Sequence, residues 1–163
     1  MKFDRKAKVL VLSFLIAFAA GCGDREEFGS EGENGTTVFA PKKGDGVTAA
    51  ITFCEKVGSK TGKPIGEGTV FIAGEDEKVR ALVEIGNARA LGERELMFHL
   101  MWIDPEGNSF YTKRIDITPE GGEAEIQSAI SIPPDKREPG IYTLRVFLFR
   151  ERIAEKTFEL IAP

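Results

Sequence analysis

The sequence predicts an all-β domain built as an antiparallel sandwich, and three observations carry that expectation. From Val47 onward apolar and polar residues alternate along the chain. Clusters of Gly, Pro, Asn and Asp interrupt the alternation roughly every 8 to 14 positions. No stretch repeats its apolar residues at helical spacing. A period of two is the mark of a strand that turns one side toward a core, since successive side chains point to opposite faces.

The elements follow in order. Residues 48–57, 68–73, 78–86, 95–103, 109–117, 123–132, 141–149 and 153–161 read as strands. Each break between them has a chemical reason. Glycines and lysines fill 58–64, acids follow Gly74 in 74–77, and Asp104-Pro105-Glu106-Gly107-Asn108 is a tight polar turn. Residues 119–122 run from Pro119 to a Gly pair, and 133–140 run from a Pro pair to Pro139-Gly140. Seven or eight strands in about 115 residues is the size of an immunoglobulin-like sandwich.

The end of the chain makes the likeness more specific. Glu138-Pro139-Gly140-Ile141-Tyr142-Thr143-Leu144-Arg145-Val146, followed by Ile153-Ala154-Glu155-Lys156-Thr157-Phe158-Glu159-Leu160, resembles the closing hairpin of immunoglobulin-like or fibronectin-type-III-like domains of bacterial envelope proteins. In those domains a Pro-Gly turn delivers a Tyr into the penultimate strand, and the last strand closes the sheet. Two departures stand out. The chain lacks the inter-sheet disulfide of antibody domains, and Arg150-Glu151-Arg152 occupies the place of a Gly-bearing hairpin turn. The resemblance implies a fold and not a function, because such sandwiches host many unrelated roles.

Alternation also sorts side chains by face. Along 95–103, Leu96, Phe98, Leu100 and Trp102 share one side. With Tyr142, Leu144, Val146, Leu148, Val79, Ala81, Val83, Ile85, Ile126 and Ile130 they make the expected core. Met97, His99 and Met101 then face away from it, as do Arg145, Phe147 and Phe149 on the penultimate strand. In an immunoglobulin-like arrangement these two strands are neighbours, so the six residues form one candidate binding face. A covering loop or linker is the competing reading of the same face.

Before the domain comes the strongest local signal. Lys2, Arg5, Lys6 and Lys8 precede an uncharged apolar run from Val9 to Ala20. That run is too short for the roughly 20 residues a spanning helix needs, so a cleaved signal is expected. It ends in Ala19-Ala20-Gly21-Cys22, which resembles the lipobox of bacterial lipoproteins, with Ala19 in place of the commoner Leu. The resemblance implies that residues 1–21 are removed and that Cys22 becomes a diacylglycerol-bearing N-terminus. Several acyl chains then hold the protein at a membrane it does not span. Gly23 rather than Asp after the Cys implies, in a source with two membranes, the outer membrane facing the periplasm rather than the inner one. Residues 22–46, rich in Gly and Glu, read as a flexible linker to the sandwich at 47–163, with Val38 and Phe39 as an alternative edge strand.

Charge and chemistry narrow the function. The formal charge is −4; cleavage removes four basic side chains and one acid, which leaves about −7. No clustered basic surplus remains to neutralise phosphates, so nucleic acid is not an expected partner. One His and two Cys leave little material for metal or nucleophile chemistry, and no cofactor or metal is implied. With Cys22 lipidated, Cys54 has no intrachain partner and reads as a buried structural thiol. No Gly-x-Ser-x-Gly, His-Glu-x-x-His or phosphate-binding Gly loop occurs. The expected function is a lipid-anchored, non-catalytic module that binds an envelope protein or a second copy of itself. The alternative is a small envelope hydrolase or metal-dependent enzyme using His99 with nearby acids.

Overall fold

The computed structural model describes residues 30–31, 37–38, 46–92 and 94–163. The lipobox, Cys22 and Phe39 lie outside the described residues. The strands are β1 (Ser30–Glu31), β2 (Thr37–Val38), β3 (Thr48–Val57), β4 (Pro64–Glu67), β5 (Val70–Ile72), β6 (Lys78–Gly86), β7 (Leu96–Ile103), β8 (Ser109–Ile117), β9 (Ala124–Ser131), β10 (Gly140–Leu148) and β11 (Glu151–Ile161), with one 3-10 turn at Ala88–Leu91. They form two sheets. One runs β4-β3-β6-β9; the other runs β1-β2-β11-β10-β7-β8, with β5 also beside β11. Every pairing is antiparallel except β5 with β11.

The core is where the two inner faces meet, and its residues are those that alternation selects. Leu96, Phe98, Leu100 and Trp102 are buried against Val79, Ala81, Val83, Ile126 and Leu144. At one end the rings gather: Phe158 lies 5.0 Å from Phe53, 5.4 Å from Tyr142 and 6.2 Å from Trp102, centroid to centroid. Two polar groups inside this region are satisfied locally. Trp102 Nε1 donates to Ser128 Oγ at 3.0 Å, which ties the two sheets together. Tyr142 Oη donates back to the Glu138 carbonyl at 2.9 Å and pins the turn that leads into β10. Gly140 in that turn has φ +150, and a Cβ there would stand 2.8 Å from Pro105 Cγ, so only glycine lets the two loops touch.

Inward-facing lysines close both open sides of the sandwich. Lys113 on β8 donates to the Gln127 carbonyl at 2.8 Å, and Lys156 on β11 donates to the Ile51 carbonyl at 2.9 Å. In each case a cation from one sheet meets a backbone carbonyl of the other, so each amine has a partner at the side of the sandwich.

The structure departs from the sequence expectation in three places. Nine strands run from Thr48 to Ile161, because β4, whose residues beyond Pro64 belong to none of the expected strands or breaks, folds back on β3. Its Gly66 supplies a left-handed φ of +67. The last hairpin turns at Phe149 and Arg150, so Glu151 and Arg152 begin β11 rather than form the turn. Phe149 takes φ +55 there, in place of the glycine such a turn favours. Finally, Thr37 and Val38 pair with Glu155 and Ala154, and Ser30 and Glu31 pair with them in turn, so parts of the linker add strands to the larger sheet.

Candidate binding face

The register confirms that β7 and β10 are neighbours, with Phe147 opposite His99 and Arg145 opposite Met101. Met97, His99, Met101, Arg145 and Phe147 therefore share the outer face of the larger sheet, each half-buried by its neighbours. Phe149 is the exception. It sits in the turn, 39% exposed, its N–H donating to the Met97 carbonyl at 2.8 Å and the Arg94 guanidinium 5.7 Å from its ring centroid. It caps the end of the stripe instead of continuing it.

Charges border the stripe on both sides. Glu155 Oε2 accepts from Arg145 Nε at 2.5 Å and from Arg152 Nη1 at 3.0 Å, so one carboxylate serves two guanidiniums. On β8, Arg114 pairs with Asp116 at 3.0 Å. Such half-exposed pairs contribute about 0–1 kcal/mol each, and their larger effect is to fix the guanidinium positions. The register sets Phe147 and Arg114, not a carboxylate, on either side of His99. Among the described residues no three His, Cys, Asp or Glu side chains gather at metal-binding distance.

The other end of this face escaped sequence reasoning. Val70 lies opposite Glu159, and Ile72 opposite Ile161, through the parallel β5–β11 pairing, while Ile141 lies opposite Glu159 from β10. Val70, Ile72, Ile141 and Ile161 are 53%, 60%, 52% and 37% exposed. Four β-branched side chains thus stand together in the open around a single acid. The available signal was the strand 141–149, where alternation puts Ile141 on the side of Arg145 and Phe147. What it could not reveal was that β5 lies against the far end of β11.

Cys54 is fully buried on the opposite sheet, beside Glu67 of β4 and Arg80 of β6. Burial pushes its thiol above the ordinary 9.0; a backbone hydrogen bond with Ile65 and the Arg80 charge pull the other way. A thiol held protonated and out of reach is a packing group.

No family model matches the chain, and no curated protein matches it. An immunoglobulin-like protein from Pseudomonas aeruginosa is 16% identical, with a TM-score of 0.45 over 82% of this chain and 100% of that one. The CARDB domain of a Pyrococcus furiosus protein, solved with di-metal ions, is 12% identical, with a TM-score of 0.40 over 72% of this chain and 87% of that one. The alkylpurine DNA glycosylase AlkC of Pseudomonas fluorescens, bound to DNA with an abasic site analogue, is 18% identical, with a TM-score of 0.47 over 70% of this chain. This chain spans 30% of the glycosylase's length. Sheet order, the buried Trp102 on β7 and the Tyr142 hydrogen bond at the start of β10 decide the fold. The domain is an immunoglobulin-like β-sandwich.

Proposed function

We propose that this protein is a lipid-anchored component of the bacterial cell envelope whose sandwich binds another envelope protein through the outer face of its larger sheet. The observation that supports this is the composition of that face. An apolar end of Val70, Ile72, Ile141 and Ile161 adjoins a Met, His and Phe stripe bordered by paired arginines. Apolar centres with aromatic, Met and Arg side chains are the types enriched at protein contacts. The anchor rests on Ala19-Ala20-Gly21-Cys22 and on the acidic balance of the chain. An acidic surface is repelled by anionic headgroups, so the acyl chains at Cys22 supply the attachment. In a source with two membranes, Gly23 favours the outer one.

Two experiments test the two halves of this reading. Growth with a radioactive fatty acid labels the wild-type chain, and the Cys22→Ser variant loses the label and leaves the membrane fraction; label retained in that variant refutes the anchor. For the face, cross-linking in intact envelopes joins the wild type to one identified partner. Phe147→Glu is expected to abolish that product while lowering stability by about 0.5–1 kcal/mol, the scale for a side chain not in the core. Leu144→Ala, on the inner side of the same strand, costs roughly 2–5 kcal/mol by opening a cavity. Sedimentation of the purified protein shows whether the partner is a second copy. A Phe147→Glu variant as unstable as Leu144→Ala overturns the reading, because the face is then part of the core.

A further inference from the structure

One open side of the sandwich lies between β8 and β9, each the last strand of its sheet. Past the Lys113 to Gln127 hydrogen bond a groove of about 310 Å³ opens. Phe110 and Tyr111 line it from β8, Ala129 and Ser131 from β9, and Lys136 and Arg137 from the loop beyond β9. The Arg137 guanidinium lies 3.9 Å from the Phe110 ring centroid, and its Nε donates to the Ser131 carbonyl at 3.4 Å. Tyr111 is 41% exposed.

The backbone of β9 makes this groove more than a dent. Peptide groups alternate sides along a strand, so residues two apart direct theirs the same way. The Gln127 and Ser131 carbonyls both face the groove, since Lys113 and Arg137 reach them there. The N–H and C=O of Ala129, midway between, face it as well. Among the described residues no strand pairs with Ala129 on that side. Its methyl group adds little bulk, and Pro133 with the Lys136–Arg137 pair bounds the end of the groove.

A free strand edge, an aromatic wall and two cations at the rim call for an extended chain that carries carboxylates. Its peptide groups would pair with Ala129 and its apolar side chains lie on Tyr111, while an acidic side chain meets Lys136 and Arg137. Asp135 and Glu138 flank the two cations in sequence, and neither lines the groove. The formal charge of the chain is −4, and against that acidic balance Lys136 and Arg137 give an acidic segment a favourable place to bind. We infer that the groove between β8 and β9 takes a short acidic strand from a partner protein, held by pairing with Ala129 and by the Lys136 and Arg137 charges. This site is separate from the outer face proposed above and stands or falls without it.

The test uses the full chain and a capped, fluorescein-labelled eight-residue peptide alternating Glu and Val, read by anisotropy and by amide shifts in nitrogen-15 NMR. Binding is expected to saturate, to move the Ala129 and Ser131 amides and to weaken with salt. Arg137→Glu and, separately, the exposed Lys136→Glu are each expected to weaken it about tenfold or more, with melting temperatures measured to show that both variants fold. Phe147→Glu, which tests the other face, leaves this binding unchanged. Replacing the central Val with N-methyl-Val removes the pairing and the affinity. Equal binding of a Lys-Val peptide, unchanged binding in both charge variants, or no shift at Ala129 overturns the inference. Polygalacturonate binding in place of the peptide, or a dimer that Arg137→Glu dissolves, overturns it in favour of an acidic polysaccharide or a second copy.

Discussion

Trp102→Ala is expected to lower the free energy of unfolding by roughly 3–5 kcal/mol, the cost of emptying a large aromatic from a packed core. Trp102 is fully buried and lies 6.0 Å from Phe53 and 6.2 Å from Phe158, so its loss opens a cavity beside the ring cluster. It also leaves the buried Ser128 hydroxyl without the indole N–H that joins the sheets. Trp102→Phe largely separates the two contributions, because it keeps most of the ring volume while losing the hydrogen bond. That variant is expected to cost less than half as much. Urea titration followed by far-UV circular dichroism measures both. A Trp102→Ala loss below about 1 kcal/mol would show that the neighbouring rings collapse into the space, against the close packing described here.

Why Trp102 was legible as a core residue and the isoleucine patch was not comes down to the range of the forces involved. Alternation is local, since each side chain's face follows from its neighbours two positions away. It therefore placed Leu96, Phe98, Leu100 and Trp102 of β7 and Tyr142, Leu144, Val146 and Leu148 of β10 in the core, and Met97, His99, Met101, Arg145 and Phe147 on the outer face, whereas Ile103 is buried although alternation turns it outward. The Pro139-Gly140 turn and Tyr142 are local as well, joined by one hydrogen bond that spans four residues. Phe149 broke the pattern because a β-bulge between Val146 and Phe147 and a two-residue turn took it out of the strand. No composition rule marks that position, since the residue there is not glycine. β4 was hidden for a different reason. It is four residues long and pairs at the edge of β3, with Ile65 55% exposed, so little burial imprints a pattern on it. The contact of β5 with β11 joins segments far apart in sequence, and β8 and β9, though consecutive, end at the edges of different sheets. The patch follows from the first and the groove from the second, and only the three-dimensional arrangement decides either.

Lys156 is the position where the strand pattern and the chemistry conflict most, and Lys156→Glu is expected to cost roughly 3–5 kcal/mol at pH 7, the scale for an uncompensated charge in the interior. The side chain of Lys156 points inward from β11 and is 7% exposed, with Nζ 2.9 Å from the Ile51 carbonyl and 5.9 Å from the Phe53 ring centroid. A carboxylate there would face a carbonyl oxygen with Glu67 nearby. Burial lowers the amine's pKa below the ordinary 10.5, while Glu67 pulls it back up. The charged amine therefore costs the folded state below its folded pKa, and this cost is relieved as pH rises from there to 10.5. Cys54 and Tyr142 act in the other direction. Burial raises the first above 9.0 and the second above 10.0, so their contributions are present below those values and are lost as pH climbs through the folded ones. Lys156→Met isolates the lysine, since it keeps an apolar stem of similar length and removes the titration. Its stability at pH 7 is expected within about 1 kcal/mol of wild type, the lost hydrogen bond offset by the relieved burial of charge. The wild-type stability relative to this variant should rise with pH as 10.5 is approached from below, as measured by urea unfolding at a series of alkaline pH values. A flat or falling difference would mean that the amine is solvated, and that the β3–β11 side of the sandwich stands open where the structure has Lys156 closing it.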